Sequence, residues 1–364
     1  MKITYITNTI SQAGGLQRVL LLKANYLAEN MGYTISIIAT NPNPADYLFY
    51  DISPLINHVT ISPDKSTTIG YYKSYKKLLN NTINAINPDI VIMCDNGLKS
   101  FLLPFILNKK RILIYEMHVP KYINIKAAGL FKKIKNNVVY TFMNICAARF
   151  NKFIVVTKNG AKEWNLNNIK ILQNPLWFVT DEISTLKNKK AIAVGRHSYE
   201  KGYDRMFAIW KQVTDKYPDW VLDVYGDDNP AYNIKQIAID YGLASNVNFL
   251  PPTKDILSAY KNASIYVMTS RFEGFGMVLL EAMACGVPCI AYNCPVGPAQ
   301  IINNNEDGFL IEDGNTAAFV TSLSALIENH ELRSQMGAKA KISSQNYNID
   351  VIMQQWDALF KSLL

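Results

Sequence analysis

The chain has 364 residues, 49% of them hydrophobic and 18% charged, which suits a globular protein with room for two domains of ordinary size. No run of about eighteen or more apolar residues occurs, which excludes a transmembrane helix by sequence, and the five cysteines and four histidines show neither a disulfide framework nor a zinc spacing. The net charge of +8 is uneven: residues 1–185 hold 21 Lys and Arg against 10 Asp and Glu, the remainder 16 against 19. That asymmetry points the first half towards an anionic surface or substrate.

Met1–Ile6 reads as a strand rather than a signal peptide, so the expected location is cytoplasmic. The strand Ile3–Thr7 runs into a loop carrying Gly14 and Gly15, then a helix from about Leu16 to Glu29 and a strand Tyr33–Ala39. This is a βαβ unit with a glycine-rich first loop. It is not G-x-G-x-x-G, which disfavours a nicotinamide or flavin site. Pro88–Cys94 and Arg111–Tyr115 read as buried parallel strands. His118 follows the second, at the edge where open α/β sheets gather ligands.

Between Lys121 and Lys152, the cations Lys121, Lys126, Lys132, Lys133 and Lys135 alternate with aromatic and aliphatic residues. That pattern suits either a helix lying on an anionic membrane or a solvated basic face. No nucleic-acid motif accompanies it. Phe153–Thr157 is expected to be the last strand of a first domain spanning 1–175. Residues 176–190 read as a linker, and a second domain spans 191–345.

The second domain opens with the strand Ala191–Val194, then Gly195, Arg196 and Lys201 in one loop before a helix from Asp204. Two cations in such a loop can clamp a diphosphate. His197, between them, has no assigned role. A second loop is built on Ala263–Thr269, a buried strand, followed by Glu273, Gly274, Phe275 and Gly276. A helix then runs from Met277 through Val278 and Glu281 to Ala284, closed by Gly286 and Pro288. Strand, glycine loop and helix N-terminus together make an anion site. The helix is apolar except for Glu281, so its carboxylate is expected to be buried and partnered. Glutamates are unsuited to phosphates but well suited to hydroxyls, so the unit reads as built for a sugar nucleotide. Gly297–Ile302 is expected to begin another helix, and Ile349–Leu363 an amphipathic one.

The segment Ser270–Tyr292 resembles the E-x7-E signature of the retaining glycosyltransferases of family 4, and Gly195–Gly202 resembles their G-R-x-x-x-E-K-G loop. The resemblance runs over the whole chain and is strongest over 191–314, and it is greatest to bacterial enzymes that build surface polysaccharides. It implies a GT-B fold: α/β, with two doubly wound Rossmann-like domains facing each other across a cleft. The helix at about 346–364 would return to the first domain. It implies a nucleotide-sugar donor, a UDP-sugar by family frequency, and a lipid-linked saccharide acceptor at the inner face of the cytoplasmic membrane, with no metal or other cofactor. By the same resemblance Arg196 and Lys201 stabilise the leaving diphosphate. Glu281 holds ribose hydroxyls, and Glu273 with the Phe275 and Gly276 amides holds the donor sugar. Gly14 and Gly15 lie near the donor, and His118 contacts the sugar near its 6-position. Two departures stand out. Pro251–Pro252 and Gln300 replace the family's usual glycine and glutamate, which leaves the base contacts open. A glycoside hydrolase would also use paired carboxylates. A nucleotide-sugar epimerase and a non-catalytic carbohydrate-binding protein are the other readings.

Overall fold

The computed structural model describes residues 1–11, 14–41, 48–122 and 130–364, in two compact units: Met1–Trp177 with Ile349–Leu364, and Phe178–Asn348. In the first unit the strands are β1 (Lys2–Thr7), β2 (Thr34–Ala39), β3 (Asn57–Thr60), β4 (Ile90–Met93), β5 (Ile112–Met117), β6 (Lys152–Val155) and β7 (Ile169–Ile171). The helices are α1 (Gly15–Glu29), α2 (Thr68–Ile86), α3 (Leu103–Ile106), α4 (Leu130–Ala147) and α5 (Lys158–Lys162). The sheet is parallel, in the order β3-β2-β1-β4-β5-β6-β7.

The two-residue period of a strand divides the apolar runs between two cores. Ile3, Tyr5, Ile35, Ile37, Ile90 and Ile92 face a core shared with Leu20, Ala24 and Leu27 of α1. Ile6, Ile38, Val91 and Met93 face the other, shared with Tyr75, Leu79 and Ile83 of α2 and Met143 of α4. Both faces are thus covered by helices, the condition under which strands can be apolar throughout.

The second unit holds β8 (Lys190–Val194), β9 (Val221–Tyr225), β10 (Val247–Leu250), β11 (Ile265–Met268), β12 (Cys289–Asn293) and β13 (Gly308–Glu312). They form a parallel sheet in the order β10-β9-β8-β11-β12-β13. Its helices are α6 (Tyr203–Lys216), α7 (Ile234–Asp240), α8 (Ile256–Lys261), α9 (Met277–Ala284), α10 (Thr316–Glu328) and α11 (His330–Ser344). Phe207, Trp210 and Val213 of α6 and Phe319 and Leu323 of α10 pack on one face with Leu222, Val224, Ile265 and Val267. On the other, α11 passes so near the turn after α9 that a Cβ on Gly337 would lie 2.2 Å from the Gly286 carbonyl oxygen. Only a glycine admits that approach. The stretch after Trp177 packs on this unit: Ser184 Oγ donates to the Ala263 carbonyl at 2.6 Å, and Arg333 to the Leu186 carbonyl at 3.1 Å.

The final helix, α12 (Ile349–Lys361), belongs to the first unit. Ile352, Met353, Trp356 and Phe360 enter the α1 core, and Tyr26 donates to Asp350 at 2.5 Å.

Three expectations are corrected. Phe153–Thr157 does not end the first sheet, because β7 pairs with β6 beyond it; three residues at an edge give too short an apolar pattern to read. Gly297–Ile302 forms only the 3-10 turn Pro298–Gln300. There the Asp307 carboxylate accepts from the Asn303 backbone and side chain, both at 2.7 Å, and draws the chain into a loop instead. Lys121 is buried and not part of a basic surface. Its ammonium donates to Asn144 Oδ1 at 2.8 Å and the Glu163 carbonyl at 3.1 Å, and lies over the Trp164 ring. Lys126 lies outside the described residues. Lys132 and Lys133 fall within α4, and Lys135 is exposed on it. No helix among the described residues is long and apolar enough to cross a membrane.

Candidate active site

In each sheet the strand order reverses beside the unit's first strand, between β1 and β4 and between β8 and β11. A crevice opens at the carboxyl ends of the strands flanking such a switch point, and ligands bind there. The β8 and β11 ends lead into the two loops singled out by sequence, Gly195–Gly202 and Thr269–Gly276.

Those loops are fastened to each other. Gly202 is left-handed, with φ of 68°, and a Cβ there would lie 2.2 Å from the Thr269 carbonyl oxygen. Thr269 Oγ1 in turn donates to the Gly202 carbonyl at 2.9 Å. Arg271 grips Asp204 with both arms of its guanidinium, at 2.8 and 2.5 Å, lies 4.0 Å from the Tyr199 ring centroid, and donates to the Tyr199 carbonyl. Burial pushes the Asp204 pKa up, but its bonds to Arg271 and Tyr232 outweigh that and leave it below the ordinary carboxylate value. The sequence reading missed Arg271 and Asp204, since neither carries a signal beyond an unpaired charge.

Within this frame Lys201 Nζ donates to Glu273 Oε1 at 2.7 Å, and Ser270 Oγ donates to the same oxygen at 2.6 Å. The Lys201 stem runs along Gly195, 3.3 Å from where a Cβ would be. Glu273 is itself held in place: a Cβ on Gly297 would come within 2.7 Å of its own Cβ. An ammonium has three donors and a carboxylate about four acceptor sites, so each keeps capacity for a ligand while paired. Arg196 is not drawn in with them. Its side chain is 70% exposed and bonds Glu200 at 3.1 Å.

Gly276 precedes α9 with φ of 100° and ψ of 47°, and no side chain caps the helix. No side-chain acceptor among the described residues meets the Met277 and Val278 amides at its start, and the helix dipole adds partial positive charge there. Gly274 and the buried Phe275 complete the turn. Glu281 is 1% exposed, as the apolar helix implied, and accepts from Tyr260 OH at 2.9 Å. His197 lies on the inner side of the first loop, 2% exposed, edge-on to Tyr203 and Phe249. Neither of its ring nitrogens has a hydrogen bond among the described residues.

In the first unit, Gly14 and Gly15 stand at the start of α1, after β1. His118 follows β5, and its Nε2 lies 3.1 Å from Glu116 Oε2 and 3.6 Å from Cys94 Sγ. The ligating atoms of Cys94, Glu116 and His118 all fall within 4.8 Å of one another, a grouping that spacing along the chain did not reveal. A protein cation is already present, since Lys23 pairs with the same Glu116 oxygen.

Two α/β units of this kind, the second with a lysine, two glutamates and a helix N-terminus at its switch point, make a scaffold suited to a ligand that carries both hydroxyls and negative charge. Comparison with known proteins agrees. Residues 180–343 match the family described as Glycosyl transferases group 1. An uncharacterized glycosyltransferase of Haemophilus influenzae is 30% identical over 98% of this chain and 99% of its own. The amylovoran biosynthesis glycosyltransferase AmsD of Erwinia amylovora is 27% identical over 98% of both. Among solved structures, Anabaena HepE in complex with UDP and glucose superposes with a TM-score of 0.79 at 19% identity, covering 100% of each chain. The chain belongs to the group 1 glycosyltransferases, has the GT-B fold and is a glycosyltransferase.

Proposed function

We propose that this enzyme transfers a hexose or N-acetylhexosamine, with retention of configuration, from a UDP-sugar to a lipid-linked oligosaccharide during synthesis of a bacterial surface polysaccharide. The observation that carries the reading is the Lys201–Glu273 pair at the switch point of the second sheet, beside the open start of α9. Lys201 and the α9 amides receive the diphosphate and neutralise the charge that grows as it leaves. Glu273 turns its remaining lone pairs to sugar hydroxyls, and Glu281 to the ribose. Arg196, exposed and free to swing from Glu200, adds a second cation when the donor is bound. His118 addresses a sugar hydroxyl. Gly14 and Gly15 let the backbone approach the substrate closely.

The relative named for amylovoran biosynthesis and the UDP in the Anabaena structure support the polymer and the nucleotide. The α4 face bearing Lys135 beside exposed Ile134 and Val138 suits an anionic membrane where the acceptor lipid resides. No side chain in the second loop stands as a nucleophile, Glu273 being held by Lys201 and Ser270. The acceptor hydroxyl therefore attacks from the face that the diphosphate leaves, and the departing phosphate takes its proton. No metal or other cofactor is needed in this scheme, because Lys201 and the helix amides carry the charge.

The test is a thermal-shift panel of UDP, GDP, ADP and UDP-sugars on wild type and Glu281→Ala. A ligand at about a hundred times its dissociation constant should add about 2.7 kcal/mol of stability. A shift with uridine nucleotides alone, weakened by the substitution, supports the donor assignment. The absence of a shift with every nucleotide would overturn it. A glycosyl-enzyme adduct trapped by mass spectrometry would overturn the same-face mechanism.

A further inference from the structure

The buried network behind His118 is not explained by folding alone. Lys23 on α1 and Glu116 on β5 are 93 residues apart and both nearly fully buried, and they pair directly. The Lys23 ammonium also lies 4.4 Å from the centroid of the Trp356 ring on α12. A buried ion pair seldom adds stability over apolar residues of the same size, because desolvating two charges costs about what their attraction returns. Its presence beneath a histidine at the ligand edge of the sheet calls for another use.

The hydrogen bonds supply one. Glu116 Oε2 receives both Lys23 Nζ and His118 Nε2, while Glu116 Oε1 is buried without a partner among the described residues. Burial pushes the Glu116 pKa up, yet Lys23 first and then His118 outweigh it and hold the group below its ordinary value, so it stays a carboxylate. A carboxylate only accepts, so the nitrogen facing it must carry the hydrogen. Cys94 Sγ is the sole competitor among the described residues. A thiol donating to Nε2 would force the opposite tautomer, but it is a weak donor at 3.6 Å, set against a charged acceptor at 3.1 Å. The charged acceptor wins. No hydrogen bond among the described residues engages Nδ1.

We infer that Glu116, anchored by Lys23, is a positioning residue that fixes His118 as its Nε2–H tautomer and so presents Nδ1 as a hydrogen-bond acceptor for a substrate hydroxyl. Resting on the transferase reading above, this assigns the first unit a definite polarity: it accepts from the sugar rather than donating to it. A lysine or arginine at the same place could only have donated.

The test uses the full chain labelled with 15N-histidine at pH 8. Four histidines are present, and the His118→Asn spectrum identifies the His118 signals. Long-range proton–nitrogen correlations should show a protonated Nε2 and a bare Nδ1. Glu116→Gln removes the obligate acceptor and should populate both tautomers. Lys23→Met/Glu116→Gln, which removes both charges at nearly constant volume, gives the same readout if the single variant does not fold. A proton on Nδ1 in wild type, or an unchanged ring in these variants, would overturn the inference. Kinetics separate it from the reading it rests on. With a UDP-sugar that wild type turns over, Glu116→Gln should lower kcat about tenfold or more and leave donor KM nearly unchanged. An unaltered kcat would refute the positioning role. Wild type that releases UDP from no UDP-sugar would refute the UDP-sugar donor reading instead, and the ring signals would still decide the tautomer.

Discussion

Lys201 Nζ and Glu273 Oε1, 72 residues apart in sequence, meet at 2.7 Å where β8 and β11 end. In the proposed donor site each would hold the other in place for a different part of the same substrate. There the pairing would also leave neither charge unpaired before a diphosphate arrives. Lys201→Ala and Glu273→Gln should each lower kcat/KM by about a hundredfold or more. Because the two act as one device, the double variant should cost little more than the worse single. A double-mutant cycle on UDP release checks this, and full additivity would show that the residues act separately.

Glu281 and Tyr260 form the second supported carboxylate. Tyr260→Phe removes the 2.9 Å bond to Glu281 Oε2 inside an apolar helix contact. Losing that hydrogen bond to a charged group should destabilise the fold by about 1.5–3 kcal/mol, read by denaturant unfolding. The double variant Tyr260→Phe/Glu281→Leu should recover part of that stability while abolishing the uridine-nucleotide thermal shift. Retained nucleotide binding in the double variant would remove Glu281 from the donor site.

Much of this site was legible in sequence because it lies on continuous motifs. Glu273, Gly276 and Glu281 fall within nine residues, and a strand, a glycine turn and an apolar helix can be read around them. Near-continuous apolar runs likewise disclosed β1, β2, β4 and β5. What sequence did not disclose was assembled across distance. Arg271 meets Asp204, and Lys23 meets Glu116, through the parallel sheet order, which no local pattern encodes. Lys121 looked like one cation in a basic stripe, and only the tertiary fold shows it turned inwards onto Trp164. Short edge strands such as β3 and β7 carry too few buried positions to stand out from loops.

The Arg271–Asp204 clamp should make loop stability depend on pH with a known sign. Its bonds hold the Asp204 pKa below the ordinary carboxylate value despite burial. A depressed carboxylate contributes fully above its unfolded pKa of about 3.9, and that contribution is lost as pH falls through the folded value. Wild type should therefore be more stable than Asp204→Asn at pH 7, and the difference should shrink below about pH 4. Thermal melts of both proteins over this range give the comparison; a gap that widens in acid would contradict the assignment. Arg271→Lys should reproduce most of the loss at pH 7, because an ammonium cannot match the two-armed contact.

His197 offers the opposite experiment, in which removing a polar group should help. Burial, the largest influence, lowers its pKa, and Lys235 adds to that; the nearby Asp228 and Asp227 carboxylates pull the other way without prevailing. The Asp228 side chain is 58% exposed and 4.0 Å away, so solvent screens it. A histidine with a lowered folded pKa contributes fully above its unfolded value of about 6.5, and it loses that contribution as pH falls through the folded value. His197→Phe places a ring of similar shape between Tyr203 and Phe249. Stability at pH 8 should change by less than about 1.5 kcal/mol, since the swap nearly conserves volume. Between pH 7 and pH 5 wild type should lose stability that the variant keeps, so the two melting curves should separate in acid with the variant the more stable. Curves that stay parallel, or a wild type that gains on the variant in acid, would mean that the ring charges without cost and that solvent or a ligand already reaches it from the Gly195–Gly202 loop.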